Sequence, residues 1–197
     1  MYIYYTKKGK FETKEWHAIP FKELHREVGP SIVCVGLIAR AANFWYLNGK
    51  LHRLDGPAVE YENGHKEWRI NGKLHREDGP ALLYSNGHKE WYQNGKLYRK
   101  DGPAVELNNG DKEWRVNRKL HRLDGPAIIK FSGTKKWYQN GKLLRLDGPA
   151  IISSSGHKCY FINDKILPKK EVEKWIRNNN INLKTKKHQA LFMLRFG

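Results

Sequence analysis

Residues 68–90 read WRINGKLHREDGPALLYSNGHKE, from Trp68 to Glu90, and this 23-residue stretch decides the fold because it recurs. Asp-Gly-Pro-Ala begins at Asp55, Asp78, Asp101, Asp124 and Asp147, always 23 residues apart. Tryptophan keeps the same interval at Trp45, Trp68, Trp91, Trp114 and Trp137, and Tyr160 takes the next place. Uninterrupted self-similarity at such a period marks a repeat architecture, in which each unit buries surface against its neighbours.

The turn chemistry predicts the local structure. Asn71-Gly72, Asn94-Gly95 and Asn140-Gly141 each lie between short apolar-alternating runs. Asn-Gly supplies the two positive-φ positions of a tight hairpin. A second turn recurs at Asn63-Gly64, Asn86-Gly87 and Asn109-Gly110. Each unit is therefore expected to be a β-hairpin within an antiparallel meander. The first strand runs from His65 to Ile70. The second runs from Lys73 to about Tyr84, with a bulge or bend at Asp78-Gly79-Pro80, where proline cannot donate to the ladder.

Side-chain alternation puts Trp68 and Ile70 on one face, and Leu82 and Tyr84 together on the next strand. The tryptophan row is expected to carry the core, alternating with an aliphatic row at Val59, Leu82, Val105, Ile128 and Ile151, with Tyr92 on the opposite face. The residue after each Trp alternates between Tyr and Arg (Tyr46, Arg69, Tyr92, Arg115, Tyr138), a hint of a double unit.

The pattern decays at both ends. Residues 1–44 hold a stretched unit with Trp16, His25 and Gly29-Pro30, and form a degenerate N-terminal repeat or cap. The array spans 45–167, ending in a half-unit where Asp164 replaces the turn glycine. Residues 168–197 form a C-terminal helical cap: Pro168 opens a stretch with Val172, Trp175 and Ile176 at helical spacing, and Ala190 to Phe196 is a second short helix or a strand. The fold class expected is all-β: a single-layer antiparallel β-hairpin solenoid of 23-residue repeats with a short α-helical C-terminal cap.

Trp68, Asn71-Gly72-Lys73 and His75 make the unit resemble the MORN repeat, a family whose repeat has the same length. Two features depart from that family. Trp stands three residues before Asn rather than two, and Arg-x-Asp-Gly-Pro-Ala replaces the small-residue run after His. In this the unit is similar to the variant MORN-like repeats of tailed phages and large DNA viruses. The resemblance covers 45–167 strongly and 9–44 weakly. It implies a hairpin solenoid used for interaction, through protein scaffolding or membrane-lipid attachment, with no catalytic residue.

The chain is strongly basic, with a formal net charge of +17, and that charge is written into the repeat. One lysine slot holds Lys66, Lys89, Lys112, Lys135 and Lys158, and a second holds Lys50, Lys73, Lys96, Lys119 and Lys142. The candidate partner-binding residues are Lys66, Lys73, Lys89, Lys96, Lys112, Lys119, Lys135 and Lys142. Lys66 falls on the Trp68 side of its strand, so its stem is expected over a ring. Arg53, Arg76, Arg99, Arg122 and Arg145 each precede the turn Asp by two residues and are expected to pair with it.

His25, His52, His75 and His121 occupy one slot that Tyr98 and Leu144 fill in other units, and slots about 10 Å apart cannot share one ion. A structural histidine is expected there, and no metal, cofactor or catalytic residue is assigned. Cys34 and Cys159 have no ligand spacing and are read as reduced thiols. The start MYIYYTKKGK lacks the apolar region of a secretory leader, and the apolar run at 32–42 is too short to span a bilayer. The function expected is a non-catalytic interaction scaffold with a protein partner of acidic surface, in the manner of a phage or viral accessory protein in the host cytoplasm. The alternative is a basic polyanion binder, for nucleic acid, a nucleotide ligand or an anionic membrane surface.

Overall fold

The computed structural model describes the strands at 2–8, 11–17 and 32–36 by their backbone, and residues 42–197 in full. The expected roles of His25 and Gly29-Pro30, and the side chains of Trp16 and Cys34, lie outside the described residues. The fold is an all-β hairpin solenoid with a helical C-terminal cap. It divides into two compact units, Met1–Arg99 and Lys100–Gly197.

In the first unit, Tyr2–Lys8 pairs with Phe11–His17, which pairs with Ile32–Gly36 and then Ala42–Phe44. From there the sheet continues antiparallel through Val59–Tyr61, Lys66–Glu67, Leu82–Leu83 and Lys89–Glu90. The long strand expected from His65 to Ile70 is broken at Trp68, where the ladder stops. Residues beyond the break form a separate ribbon, Arg69–Ile70 against Lys73–Leu74, and Tyr46–Leu47 with Lys50–Leu51 and Tyr92–Gln93 with Lys96–Leu97 repeat it. Each unit of sequence thus contributes one hairpin to the main sheet and a second, smaller one.

The two turns differ in kind. In the ribbons both central residues are left-handed, Asn71 at φ 50° and Gly72 at 78°, as the type I′ geometry requires. At the main-sheet turn Gly64 alone is left-handed, at φ 87°. Its N–H donates to Tyr61 O (2.9 Å), and Asn63 Oδ1 accepts the N–H of His65 at 3.1 Å. That is a type I turn closed by a glycine, with the Asn side chain bracing its own backbone.

In the second unit the sheet runs Val105–Glu106, Lys112–Glu113, Ile128–Ile129, Lys135–Lys136, Ile151–Ile152, Lys158–Ile162 and Lys165–Leu167. Two helices follow, α1 (Lys169–Asn178) and α2 (Lys186–Phe196). Pro168 stands at the N-terminal boundary of α1, and Thr185 caps α2 by accepting the His188 N–H at 3.3 Å. The cap has a core of large side chains: Tyr160, Ile162, Leu167, Val172, Leu183 and Phe192. Among the described residues, no helix is long and apolar enough to cross a membrane.

The core of the repeats departs from the sequence expectation. Trp45, Trp68, Trp91, Trp114 and Trp137 are half-buried, while the alanines of the Asp-Gly-Pro-Ala turns have almost no exposure. Ala81 accepts the N–H of Trp68 (2.8 Å) and donates to Glu90 O (2.9 Å), so it ties the main sheet where the chain leaves it. A larger residue would part those strands. The aliphatic row is buried as expected at Val59, Leu82, Val105 and Ile128.

Candidate interaction surface

The repeated arginine is the best-held side chain on the surface. Its guanidinium carbon lies over the ring of the preceding tryptophan, at 4.1 Å for Arg53 on Trp45, 4.1 Å for Arg76 on Trp68 and 4.0 Å for Arg99 on Trp91. Arg122 on Trp114 and Arg145 on Trp137 repeat this at 4.2 and 3.9 Å. Arg76 Nε also donates to Asp78 Oδ1 at 2.8 Å, matched by Arg53 to Asp55, Arg122 to Asp124 and Arg145 to Asp147. These hydrogen bonds and the arginine charge hold the carboxyls of Asp55, Asp78 and Asp124 below their ordinary pKa.

The turn glycine completes the clamp. A Cβ on Gly79 would lie 2.8 Å from the Arg76 guanidinium carbon, and one on Gly56 would lie 2.7 Å from that of Arg53. Glycine leaves room here for the guanidinium to lie between a ring and a bare backbone. The structure thus accounts for Trp, Arg, Asp and Gly of the repeat with one device. A cation over a tryptophan face contributes about 0.5–1 kcal/mol at exposed sites.

Successive ribbons are stitched by histidine. His52 Nδ1 accepts the backbone N–H of Asn71 at 3.3 Å and lies 3.0 Å from that residue's side-chain amide. His75 with Asn94 and His121 with Asn140 repeat the contact. Where Leu144 replaces His, Asp164 takes over by accepting the Leu143 N–H at 2.7 Å. In three units the Tyr or Arg after the Trp also serves as a donor. Arg69 Nε donates to Glu67 (2.7 Å), Tyr92 Oη donates to Glu90 (2.8 Å) and Arg115 Nε donates to Glu113 (2.7 Å). Both residue types serve as donors to the same repeated glutamate.

The two lysine slots fall on different strand systems. Lys66, Lys89, Lys112 and Lys135 lie in the main sheet, the first two half-buried and the others exposed. Lys50, Lys73, Lys96, Lys119 and Lys142 are all exposed and follow the ribbon turns. Their stems are held in step: the Lys73 Cβ lies 3.7 Å from where a Cβ on Gly95 would be, and that of Lys119 lies 3.6 Å from the same point at Gly141. The stem of Lys66 was expected over a ring, but among the described residues the cations over rings are arginines.

Two surfaces of the main-sheet turns contrast. In the first unit the rings of Tyr61, His65, Tyr84 and His88 step along the sheet with centroids 5.2, 5.0 and 4.7 Å apart. In the second unit an ion pair holds the corresponding place. Asp111, buried, accepts from Lys130 Nζ at 2.9 Å and from the Phe131 N–H at 2.8 Å. Those donors pull its carboxyl below the usual carboxylate range. Among the described residues, no group of three or more His, Cys, Asp or Glu is placed to hold a metal ion.

The expected pairing of arginine with the turn aspartate is present at Arg53, Arg76, Arg122 and Arg145, whereas Arg99 and Asp101 fall in separate compact units. Sequence reasoning missed the ring-stacked arginine. Its signal was the fixed eight-residue offset from Trp68 to Arg76, the same in all five units. Comparison with known proteins finds no family model that matches the chain and no curated protein significantly similar to it.

Proposed function

We propose that the chain is a non-catalytic MORN-like repeat scaffold that engages an acidic protein surface through its ribbon lysines. The observation that supports this reading is a division of labour among the cations. Each repeated arginine is occupied by a tryptophan ring, while Lys50, Lys73, Lys96, Lys119 and Lys142 stand exposed. Within each compact unit, exposed ammonium groups that recur from repeat to repeat suit an anionic partner and speed its encounter. The phage or viral setting, and action on a host component in the host cytoplasm, extend the proposal from the repeat resemblance alone.

Nucleic acid is the competing partner. Binding without sequence preference to single strands uses aromatic faces on which bases stack. Here the five repeat tryptophans carry arginines, and Tyr61 and Tyr84 are packed against histidines, which favours a protein partner.

The test is a titration of the purified chain with mixed DNA and RNA at two salt concentrations, with Lys73→Ala/Lys96→Ala/Lys119→Ala as the charge control. Duplex binding loses affinity with a log–log salt slope of about −0.9 per phosphate neutralised. The expected result is weak binding that disappears by about 0.15 M salt. Tight binding near that salt, lost in the triple variant, would make the polyanion reading the correct one.

A further inference from the structure

Three units carry the same hexapeptide, Arg-Leu-Asp-Gly-Pro-Ala, at 53–58, 122–127 and 145–150. Their surroundings differ. Asp55 and Asp124 side chains are 83% and 80% exposed, but that of Asp147 is 34% exposed. Leu54 is 80% exposed and Leu123 is 75% exposed, whereas Leu146 is half-buried. The difference is the cap. Lys184 Nζ, from the loop between α1 and α2, donates to Asp147 Oδ2 at 3.0 Å. Leu144 and Leu146 pack against the cluster that contains Leu183. On this one copy of the motif a segment of the cap thus covers the site: the leucine packs against the apolar cluster to which Leu183 belongs, and the lysine that follows Leu183 lies on the turn carboxylate.

The open copy at 53–58 has a receptive shape. A groove of about 390 Å³ lies there, with Leu54, Trp68 and Ile70 as apolar lining and Asp55, Glu77 and Asp78 as carboxylates. Arg53 and Arg76 also line it, but each is stacked on its tryptophan and bonded to its aspartate. Glu77 is 85% exposed and 3.8 Å from His75 Nε2, its carboxylate open to an incoming cation. On a chain of net charge +17, the three carboxylates of this partly apolar groove outnumber its two arginines.

We propose that the Arg-Leu-Asp face of the uncapped repeats, at Leu54 above all and at Leu123, docks a partner polypeptide segment in which an apolar residue is followed by lysine. The segment places its apolar side chain against Leu54 and its ammonium on Asp55, by analogy with Lys184 on Asp147 and with Leu146 against the cluster that contains Leu183. This surface is distinct from the lysine rows and selects the opposite charge, so it stands whether or not an acidic partner binds those rows.

The probe is a synthetic peptide of residues 181–188, Ile-Asn-Leu-Lys-Thr-Lys-Lys-His, titrated into the full chain and followed by backbone amide shifts. Tethered segments act at effective concentrations of about 1 mM, so the titration extends to that range. The expected result is saturable shifts at Leu54 and Leu123, with affinity reduced at least about ten-fold by Leu54→Lys/Leu123→Lys in the protein or by Lys184→Glu in the peptide. Both leucines are exposed, so the protein variant keeps its fold, and the peptide variant leaves the protein untouched. Lys73→Ala/Lys96→Ala/Lys119→Ala should bind the peptide as the parent does, which separates this site from the lysine rows. Absence of saturation by about 1 mM, or binding indifferent to both variants, overturns the proposal. So does a concentration-dependent dimer of the chain alone that Leu54→Lys abolishes, because the occupant would then be a second copy.

Discussion

The cap and the repeats bury very different things. In the cap, Phe192 and Val172 are fully enclosed, and Phe192 meets the rings of Trp175 and Phe196 at 6.1 and 5.2 Å. In the repeats, the residues with the least exposure are Ala58, Ala81, Ala104, Ala127 and Ala150, and every repeat tryptophan is only partly buried. The cap follows ordinary core packing. The repeats hold together by backbone hydrogen bonds at small residues and by polar clamps that step from unit to unit. No repeat can bury its own surface alone, and stability is then close to a sum of neighbour terms. A closed core at one end supplies what the clamps do not.

The largest effect should come from breaking the cap. Phe192→Ala removes a fully buried ring and should cost about 3–5 kcal/mol, measured by urea unfolding. Trp68→Ala should cost clearly less, because its ring is only partly buried and carries the Arg76 cation. Equal losses at the two positions would erase the distinction between a packed cap and a clamped array.

A smaller effect should come from closing the space above a turn glycine. Gly79→Ala sets a methyl group 2.8 Å from the Arg76 guanidinium carbon, which is fixed by Trp68, Asp78 and the Pro80 carbonyl. Either the cation leaves the ring or the turn shifts, at about 0.5–1 kcal/mol if the ring contact is what is lost. Gly148→Ala meets Arg145 at 3.3 Å and should be milder. Adding Arg76→Ala to Gly79→Ala removes the clash, so the double variant should lose less than the two single losses combined. Additive losses would show that the glycine serves the backbone rather than the arginine.

Much of this architecture was legible in the sequence, and the reasons are local. Asn-Gly at 71–72 forces its own turn, and a fixed period forces stacking, so hairpins and repeats could be read from residues a few places apart. Pro168 and the helical spacing of Val172, Trp175 and Ile176 likewise marked α1. What could not be read depends on contacts across the break at Trp68. Side-chain alternation fails where the chain leaves the sheet, so the count that made the tryptophans the core did not survive the bend. The Arg76 stack joins residues eight apart on two sides of a hairpin, and alternation says nothing of such a pair. The candidate lysines were legible as a charge pattern, yet their separation into two strand systems follows from that same break.

The smallest effect should distinguish the clamps from the apolar core of the cap by pH. Asp111 is held below the ordinary carboxylate pKa by the hydrogen bonds from Lys130 and the Phe131 N–H, against the cost of burial. Asp55, Asp78 and Asp124 are lowered by their arginines. A carboxyl with a lower pKa in the folded state binds fewer protons there than in the unfolded state. Its contribution is complete above the unfolded value, near 3.9, and drains as pH falls through the folded value. The pair also raises the pKa of Lys130, so its contribution is whole at neutral pH and fades only when strong base deprotonates that lysine. Acid should therefore loosen the clamps, together with the Lys184–Asp147 contact of the cap, whereas Phe192 has no proton to gain. The expected observation is a melting temperature that falls below about pH 4, with Asp111→Asn lowering it at pH 7 by about 2–4 °C and flattening part of the acid slope. An acid slope unchanged in Asp111→Asn would show that the Asp111–Lys130 contact contributes nothing to the array.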